Sequence, residues 1–394
     1  MRRTTNAVYL VFIAAGVCGA SWASRIPQVR DELGMTPAAL GLVILAIGVG
    51  SLVSLPSAGL VVHRLGSART IVMMAVVVAA GMVVAAVGVR IGPAVVVVGL
   101  FLLGFGAGVW DVAMNVEGAA VEQRLERSIM SRFHAGFSIG TVTGALVGVG
   151  MVALGVSVTL HLVLVAAVLV VAVPLATRWF LPAGSDDRDE ESAGPPAVSP
   201  LRAWTEPRTL LIGLFVLTMA FAEGTANDWL GIAAIDGYGD SATVGPVAFG
   251  TFLAAMTLGR WFGTGLIDRF GRVRVLRVSA AVAAVGLALV VVGPSLVVAF
   301  AGMVMWGLGT ALGFPVGMSA AADDPARAAG RVSAVATIGY VAFLAGPPLI
   351  GVLGSSSGVR HALTVSVGLL VVGVLLAGST RPLLVGRAEA GGPS

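Results

Sequence analysis

The chain consists largely of apolar runs of about 20 residues that recur along nearly its whole length. Each run is long enough to cross a hydrocarbon core about 30 Å thick as an α-helix. In lipid, backbone amides must be satisfied within a helix or a closed barrel, and these runs lack the period-2 alternation of barrel strands. Hydrophobic residues make up 57% of the chain and charged residues 11%. The sequence therefore predicts an all-α membrane protein.

Breaks at glycine, proline and charged clusters divide the apolar sequence into about twelve predicted transmembrane helices. One long polar interruption, 178–208, has an acidic run and is rich in Pro, Gly and Ser, which predicts a flexible linker. It separates six spans in 1–177 from six spans in 209–394, where a short tail follows the last span. We therefore predict two six-helix bundles joined by a linker.

An internal repeat supports the two bundles. The segment HRLGSAR begins at His63 and DRFGRVR begins at Asp268, 205 residues later, each after the second span of its half. The segments GFGAG and GLGTA lie 203 residues apart. A nearly constant offset predicts duplication of a six-helix unit, with pseudo-two-fold symmetry and a solute site between the halves near the bilayer midplane.

Arginine placement predicts the orientation, because cytoplasmic loops carry an excess of basic residues. With a cytoplasmic N-terminus, the outer loops hold only Arg25, Arg30, Arg90 and Arg360, and the other twenty of the 24 basic residues lie on or near the cytoplasmic side. Both termini are then cytoplasmic.

Composition also excludes several classes of function. The chain has no Lys, so a phosphate-binding GxxxxGK[ST] loop is impossible, and ATP hydrolysis by that route is excluded. The single cysteine, Cys18, excludes an intrachain disulfide and a cysteine metal cluster, and the four histidines show no ligand spacing. The scattered arginines form no patch for nucleic acid. We expect no cofactor, no metal and no enzyme activity, and a monomer surrounded by lipid.

The motifs resemble those of the major facilitator superfamily. DRFGRVR resembles the signature loop between the second and third helices of a half, and HRLGSAR is a degenerate copy. SWASRIPQVRDELG, WDVAMNVEG, RFHAGFSIG, FAEGTANDW and GPPLIG resemble the fucose-permease-like branch, including uncharacterised inner-membrane members and a rhizopine-associated member. The resemblance implies a bacterial cytoplasmic (inner) membrane protein and proton-coupled uptake of sugars or polyols. It also implies a protonatable carboxylate in the fourth helix, where Asp111 lies. The fucose permease has another in its first helix, and residues 7–24 contain none.

Asp111 is the leading candidate for proton coupling. Its helix face carries only small or polar neighbours, namely Gly104, Ala107, Gly108, Asn115 and Gly118. Such a face is expected inside a bundle or cavity rather than against lipid. A charge at mid-membrane costs about 2.5–3.5 kcal/mol on insertion scales, and protonation removes most of that cost. The alternative is a structural ion pair with an arginine.

Glu223 is the second candidate for proton coupling, with Asn227 on the same face at i+4. In the superfamily fold the seventh helix lines the interface between the halves, which implies that Glu223 binds substrate hydroxyls or a proton there. The alternative is an arginine partner across the interface, such as Arg25. The substrate-binding candidates are polar or aromatic residues within or near the spans: Asn115, Asn227, Trp22, Gln28, His134, Trp229 and Tyr340. Arg25 is also a substrate-binding candidate, whereas His134 lies near a helix end and has a solvated or capping role as its alternative.

The two signature loops are predicted to take part in gating, through Arg64, Asp268, Arg269 and Arg272. Arginines there are able to reach carboxylates or helix C-termini, and Asp268 a helix N-terminus. The function predicted is secondary active symport of a small polar solute such as a sugar, polyol or inositol derivative. The alternatives are a drug/proton antiporter and a non-transporting sensor, scaffold or passive channel. Drug/proton antiporters of the superfamily resemble one another in a Gly-Pro motif on the fifth helix. The fifth predicted span contains AGFSIGTVTGALVGVG, which has no proline, so the resemblance argues against the antiporter.

Overall fold

A computed structural model describes residues 1–125, 129–181, 200–239, 241–324 and 327–383. Within these ranges the regular structure is entirely helical. The helices are α1 (Arg2–Ala23), α2 (Ile26–Glu32), α3 (Pro37–Leu65), α4 (Ser67–Ile91), α5 (Pro93–Leu125), α6 (Met130–Ala153), α7 (Val158–Thr177), α8 (Pro207–Tyr238), α9 (Val244–Phe270), α10 (Arg272–Val292), α11 (Leu296–Thr310), α12 (Gly313–Ala321), α13 (Ala328–Ser357), α14 (Val359–Ala362) and α15 (Thr364–Leu376). Short 3₁₀ turns cover Pro200–Thr205 and Ala377–Thr380.

The ends of several helices follow from local sequence. Thr36, Ser157 and Ser295 are N-caps whose hydroxyls accept a hydrogen bond from the backbone N–H three residues later. The two repeated loops turn at equivalent glycines, Gly66 with φ 75° and Gly271 with φ 81°. Only glycine adopts this conformation without a Cβ penalty, so the duplicated segments share their turn geometry as well as their sequence.

The helices form the twelve membrane spans predicted from the sequence. In the described residues, eleven helices or helix pairs are long and apolar enough to cross a membrane, and α1 with α2, α11 with α12, and α14 with α15 each form one of them. The twelfth is α9, whose 27 residues give about 40 Å of length. A charged residue, Arg260, lies near the middle of α9.

The helices pack as two groups. In the first half, α1 packs against α6 and α7, and α5 packs against α3 and α4. In the second half, α8 packs against α9, α13 and α15, and α10 packs against α11 and α15. The halves meet along α3 with α13 and along α6 with α9. The predicted linker falls mostly on 182–199 and the predicted tail mostly on 384–394, which lie outside the described residues, so the predicted domain boundaries stay a prediction.

We call the end of the molecule where α1 begins and α3 ends the terminal face, and the opposite end the distal face. Polar contacts between the halves occur at the distal face. Arg30 donates to both carboxylate oxygens of Asp236, and the Ala38 amide donates to the Ser355 hydroxyl at 3.0 Å. Gly41 of α3 lies against the backbone of Pro347 of α13. The distal side is therefore closed.

Candidate functional site

A cavity of about 310 Å³ lies between the halves, next to the α3–α13 contact. Its lining comes from α3, α8 and α13 and is mostly apolar. The polar side chains in the lining are those of Ser51, Asp228, Thr337 and Tyr340. A largely apolar cavity with a few convergent polar groups is the usual form of a small-molecule site.

Asp111 faces the space between the halves. Glycines one and two turns before it, Gly108 and Gly104, allow α5 to approach α3 closely. The Asp111 side chain is exposed and lies within electrostatic range of Tyr340, which belongs to the other half. The Asn115 amide donates to the Asp111 carboxylate at 3.3 Å and to its backbone carbonyl at 2.8 Å. Among the described residues no guanidinium forms an ion pair with this carboxylate, so the pairing alternative has no support here.

Asp228 is a functional candidate that the sequence reasoning did not single out. It lies on α8, is half-buried and lines the cavity. No side chain in the described part of the chain forms an ion pair with it. Counting along α8, it is about 15 Å from the distal end of that helix. The sequence signal was present, since an acid inside an apolar span is a functional candidate by default.

Glu223 does have an arginine partner, but it is Arg260 of α9 and not Arg25. The Arg260 guanidinium donates to Glu223 at 3.0 Å, and its Nε donates to the Ala311 carbonyl at 3.4 Å. His134 of the first half lies within electrostatic range of Arg260. The sequence analysis did not name Arg260 as a functional candidate, although an arginine within an apolar span indicates a functional site as an acid does.

Two of the predicted substrate-binding residues, Trp22 and Arg25, are buried within the first half, at 3% and 2% exposure. One Arg25 nitrogen donates to the Val156 carbonyl, in the loop between α6 and α7, and the others have no described partner. Gln28 is half-buried, and its amide atoms also lack a described partner. In this conformation these residues are on the closed distal side, away from the residues that line the cavity.

The other predicted site residues are divided between cavity and core. Tyr340 lines the cavity, whereas Trp229 is fully buried on α8. The exposed His134 ring meets Phe12 edge-on at 5.3 Å between ring centroids. Asn227 is half-buried on α8, next to Asp228.

Of the residues predicted to take part in gating, Arg272 is anchored most firmly. Its guanidinium donates to both oxygens of Asp323 at 2.9 and 2.6 Å, and its Nε donates to the Thr380 carbonyl at 2.6 Å. Arg208 adds a third hydrogen bond to Asp323 at 2.8 Å. Burial raises the pKa of the Asp323 carboxyl, but the hydrogen bonds from Arg272 and Arg208 outweigh burial and lower that pKa below its usual value. These contacts lie within the second half.

The other three residues predicted to take part in gating are exposed. Arg64 and Asp268 form no ion pair with a described residue, and Arg269 lies over the Phe270 ring at 5.2 Å. Their proposed gating role therefore rests on the sequence, and it stays a prediction.

Comparison with known proteins agrees with this architecture. The family profile of the Major Facilitator Superfamily matches residues 8–347. An uncharacterised transporter of Sinorhizobium fredii is 33% identical over 350 residues, which cover 89% of this chain and 90% of the relative. The membrane protein MosC of Rhizobium meliloti is 28% identical, with 95% of this chain and 88% of MosC covered. The chain belongs to the major facilitator superfamily and is a multi-pass membrane transporter.

Solved structures share the fold at low identity. The nucleoside transporter NupG superimposes with a TM-score of 0.77 at 16% identity, covering 96% of this chain and 98% of NupG. The Escherichia coli fucose:proton symporter FucP superimposes with a TM-score of 0.63 at 16% identity, covering 96% of this chain and 98% of FucP. These similarities confirm the predicted twelve-helix fold.

Proposed function

We propose that this transporter imports a small polar solute together with protons by alternating access, in a bacterial inner membrane with both termini cytoplasmic. The observation that carries the proposal is the position of Asp111. Its carboxylate faces the space between the halves, and a neutral amide, Asn115, is its hydrogen-bond partner. An ionised carboxylate without a cation partner is costly inside a membrane, and binding a proton removes that cost. A proton carrier needs a carboxylate that binds a proton in this way.

The solute class is a sugar, a polyol or an inositol derivative. The cavity supplies hydroxyl and carboxylate groups from Ser51, Thr337, Tyr340 and Asp228 beside apolar walls, which suits a compact solute with several hydroxyls. FucP is a fucose:proton symporter, and its similarity in fold supports the same solute class here. One proton moving down 100 mV supports roughly 40-fold accumulation of an uncharged solute.

The test begins with a carbohydrate library screened for ligand-induced thermal stabilisation of the purified chain. The best binder is then supplied to proteoliposomes with and without an inward proton gradient. We expect the gradient to accelerate wild-type uptake, and Asp111→Asn to reduce the acceleration at least about tenfold. Glu32→Gln is the matched control, since Glu32 is an exposed acid at the distal face, and it should transport like wild type.

Uptake that ignores both pH and Asp111→Asn would overturn the coupling. A dye that is expelled with proton exchange, in cells lacking other pumps, would instead support the antiporter. Binding without accumulation in sealed vesicles would support a sensor.

A further inference from the structure

A second carboxylate, on the other half of the molecule, faces the same space as Asp111. Asp111 belongs to α5 of the first half and Asp228 to α8 of the second. Tyr340 lies near both acids, because it lines the cavity with Asp228 and is within electrostatic range of Asp111. The two acids lie at different depths. Counted along their helices, Asp228 is about 15 Å and Asp111 about 27 Å from the distal end.

Asp228 has no counter-charge in the described part of the chain. On α9, Arg260 is paired with Glu223, and on α2, Arg30 is paired with Asp236. From α13 the titratable group that faces the cavity is the Tyr340 hydroxyl, and from α5 it is Asp111 itself. None of these groups forms an ion pair with Asp228. Its charge is thus not balanced by the protein.

Alternating access makes this imbalance important. Asp228 lies about 12 Å along α8 below Asp236, which closes the distal face with Arg30. When the terminal side closes in turn, the cavity around Asp228 must pass through an occluded state that is shut off from water on both sides. An unpaired carboxylate is costly to bury in such a state, and binding a proton removes the charge.

We propose that Asp228 is a second proton-binding site, so that one transport cycle carries two protons, one on each half. This inference rests on the proposed proton-coupled function and extends it. The consequence is that the same membrane potential supports a larger concentration gradient of the solute. For an uncharged solute, two protons raise the accumulation that 100 mV supports from roughly 40-fold to roughly 2,000-fold.

The experiment needs no solute. Dicyclohexylcarbodiimide reacts with protonated carboxyl groups in apolar surroundings, and mass spectrometry locates the adduct. Purified full-length chain in liposomes is treated across a pH series, above about pH 5.5, where an ordinary exposed aspartate with a pKa of about 3.9 is ionised. We expect adducts on the peptides that carry Asp111 and Asp228, with yields that fall as the pH rises.

The variants make the assignment specific. Asp228→Asn should abolish the adduct on its peptide and leave the Asp111 adduct unchanged, and Asp228→Glu should restore labelling. Asp236 is the matched control position on the same helix, because it is exposed and ion-paired. It should carry no adduct in the wild-type chain, so Asp236→Asn should leave the labelling of the chain unchanged. An unchanged Asp111 adduct also shows that the Asp228→Asn variant is folded.

Three results separate the possible failures. Labelling of Asp111 alone overturns the second site and leaves the proposed function intact. If neither acid is labelled, the proposed proton coupling and the second site are both overturned. Labelling of Asp228 with a yield that does not depend on pH overturns the inference, because the carboxyl group would then not exchange its proton.

Discussion

At the start of α8, the Glu206 carboxylate accepts hydrogen bonds from three side chains. Arg331 Nε donates at 2.6 Å, Thr209 at 3.0 Å and Arg327 at 3.3 Å. The hydrogen bond from Arg331 is the main reason that the pKa of Glu206 lies below its usual value. Arg331 is 8% exposed, so its guanidinium depends on Glu206 and Asp324 for its charge balance.

This lowered pKa predicts how stability depends on pH. Glu206 contributes stability fully at pH values above its pKa in the unfolded chain, about 4.3. That contribution is lost as the pH falls through the lower pKa of the folded chain. Thermal unfolding in detergent should therefore occur at lower temperature below about pH 4, and Glu206→Gln should remove this component of the pH dependence.

Arg331→Met tests the same contact from its other side. We expect it to lower the free energy of unfolding by about 2–3 kcal/mol at neutral pH, because a largely buried carboxylate loses its main partner. Arg269→Met, at an exposed arginine without an ion pair to a described residue, is the control and should change stability little. Equal effects of the two substitutions would contradict the assigned role.

Two helices, α3 and α13, set how closely the halves approach at the distal face. An atom added at Gly41 would overlap the backbone of Pro347, so the closed distal face requires a residue without a side chain there. By contrast, an atom added at Gly59, on the same helix, would meet open space. The two glycines form a matched pair for testing closure.

Gly41→Val should hold the distal side open and shift the population away from the conformation described here. The readout is a thiol placed at the exposed cavity residue Thr337 in a Cys18→Ser background, labelled with an impermeant maleimide added at the terminal face. We expect labelling about tenfold slower than in the parent, since overpacking of this kind costs about 1–3 kcal/mol. Gly59→Val should label at the parental rate, and slowing in both variants would contradict the steric explanation.

The helices could be predicted from sequence more completely than the directions of their side chains. Apolar runs and the repeated loops predict twelve spans because each run and each loop motif is recognised from consecutive residues in the chain. The small-residue face of Asp111 also identified the inward side of α5. Arg25 could not be placed this way, since its partner is the Val156 carbonyl, 131 residues away in the chain. For the same reason the pairing of Glu223 with Arg260, which leaves Asp228 as the unpaired acid on α8, required the packing of α8 against α9.

At the scale of the whole molecule, the proposed alternating access requires the two halves to rock against each other about the cavity. Near the distal side, α6 and α9 come together where Ala145 lies opposite Gly250. A Cβ at Gly250 would lie 3.7 Å from the Cβ of Ala145, within the range that a disulfide spans. The pair offers a reversible way to fix the halves together.

Ala145→Cys with Gly250→Cys, in a Cys18→Ser background, should stop uptake of the solute found in the screen after mild oxidation, and a reductant should restore it. Each single-cysteine variant should transport after the same oxidation. Undiminished uptake by the oxidised double variant, with the disulfide verified by mass spectrometry, would mean that the halves do not separate at this contact during transport.

The ion pairs of this protein are unequally shielded from salt. The Arg272–Asp323 pair of the second half is mostly buried, with side chains 10% and 16% exposed, whereas Asp236 in the distal pair with Arg30 is 42% exposed. Dissolved ions screen exposed charges more strongly than buried ones. Concentrated electrolyte should thus loosen the junction between the halves before it loosens either half. The ionic strength outside the distal face would then help to set the conformation in which the empty carrier rests.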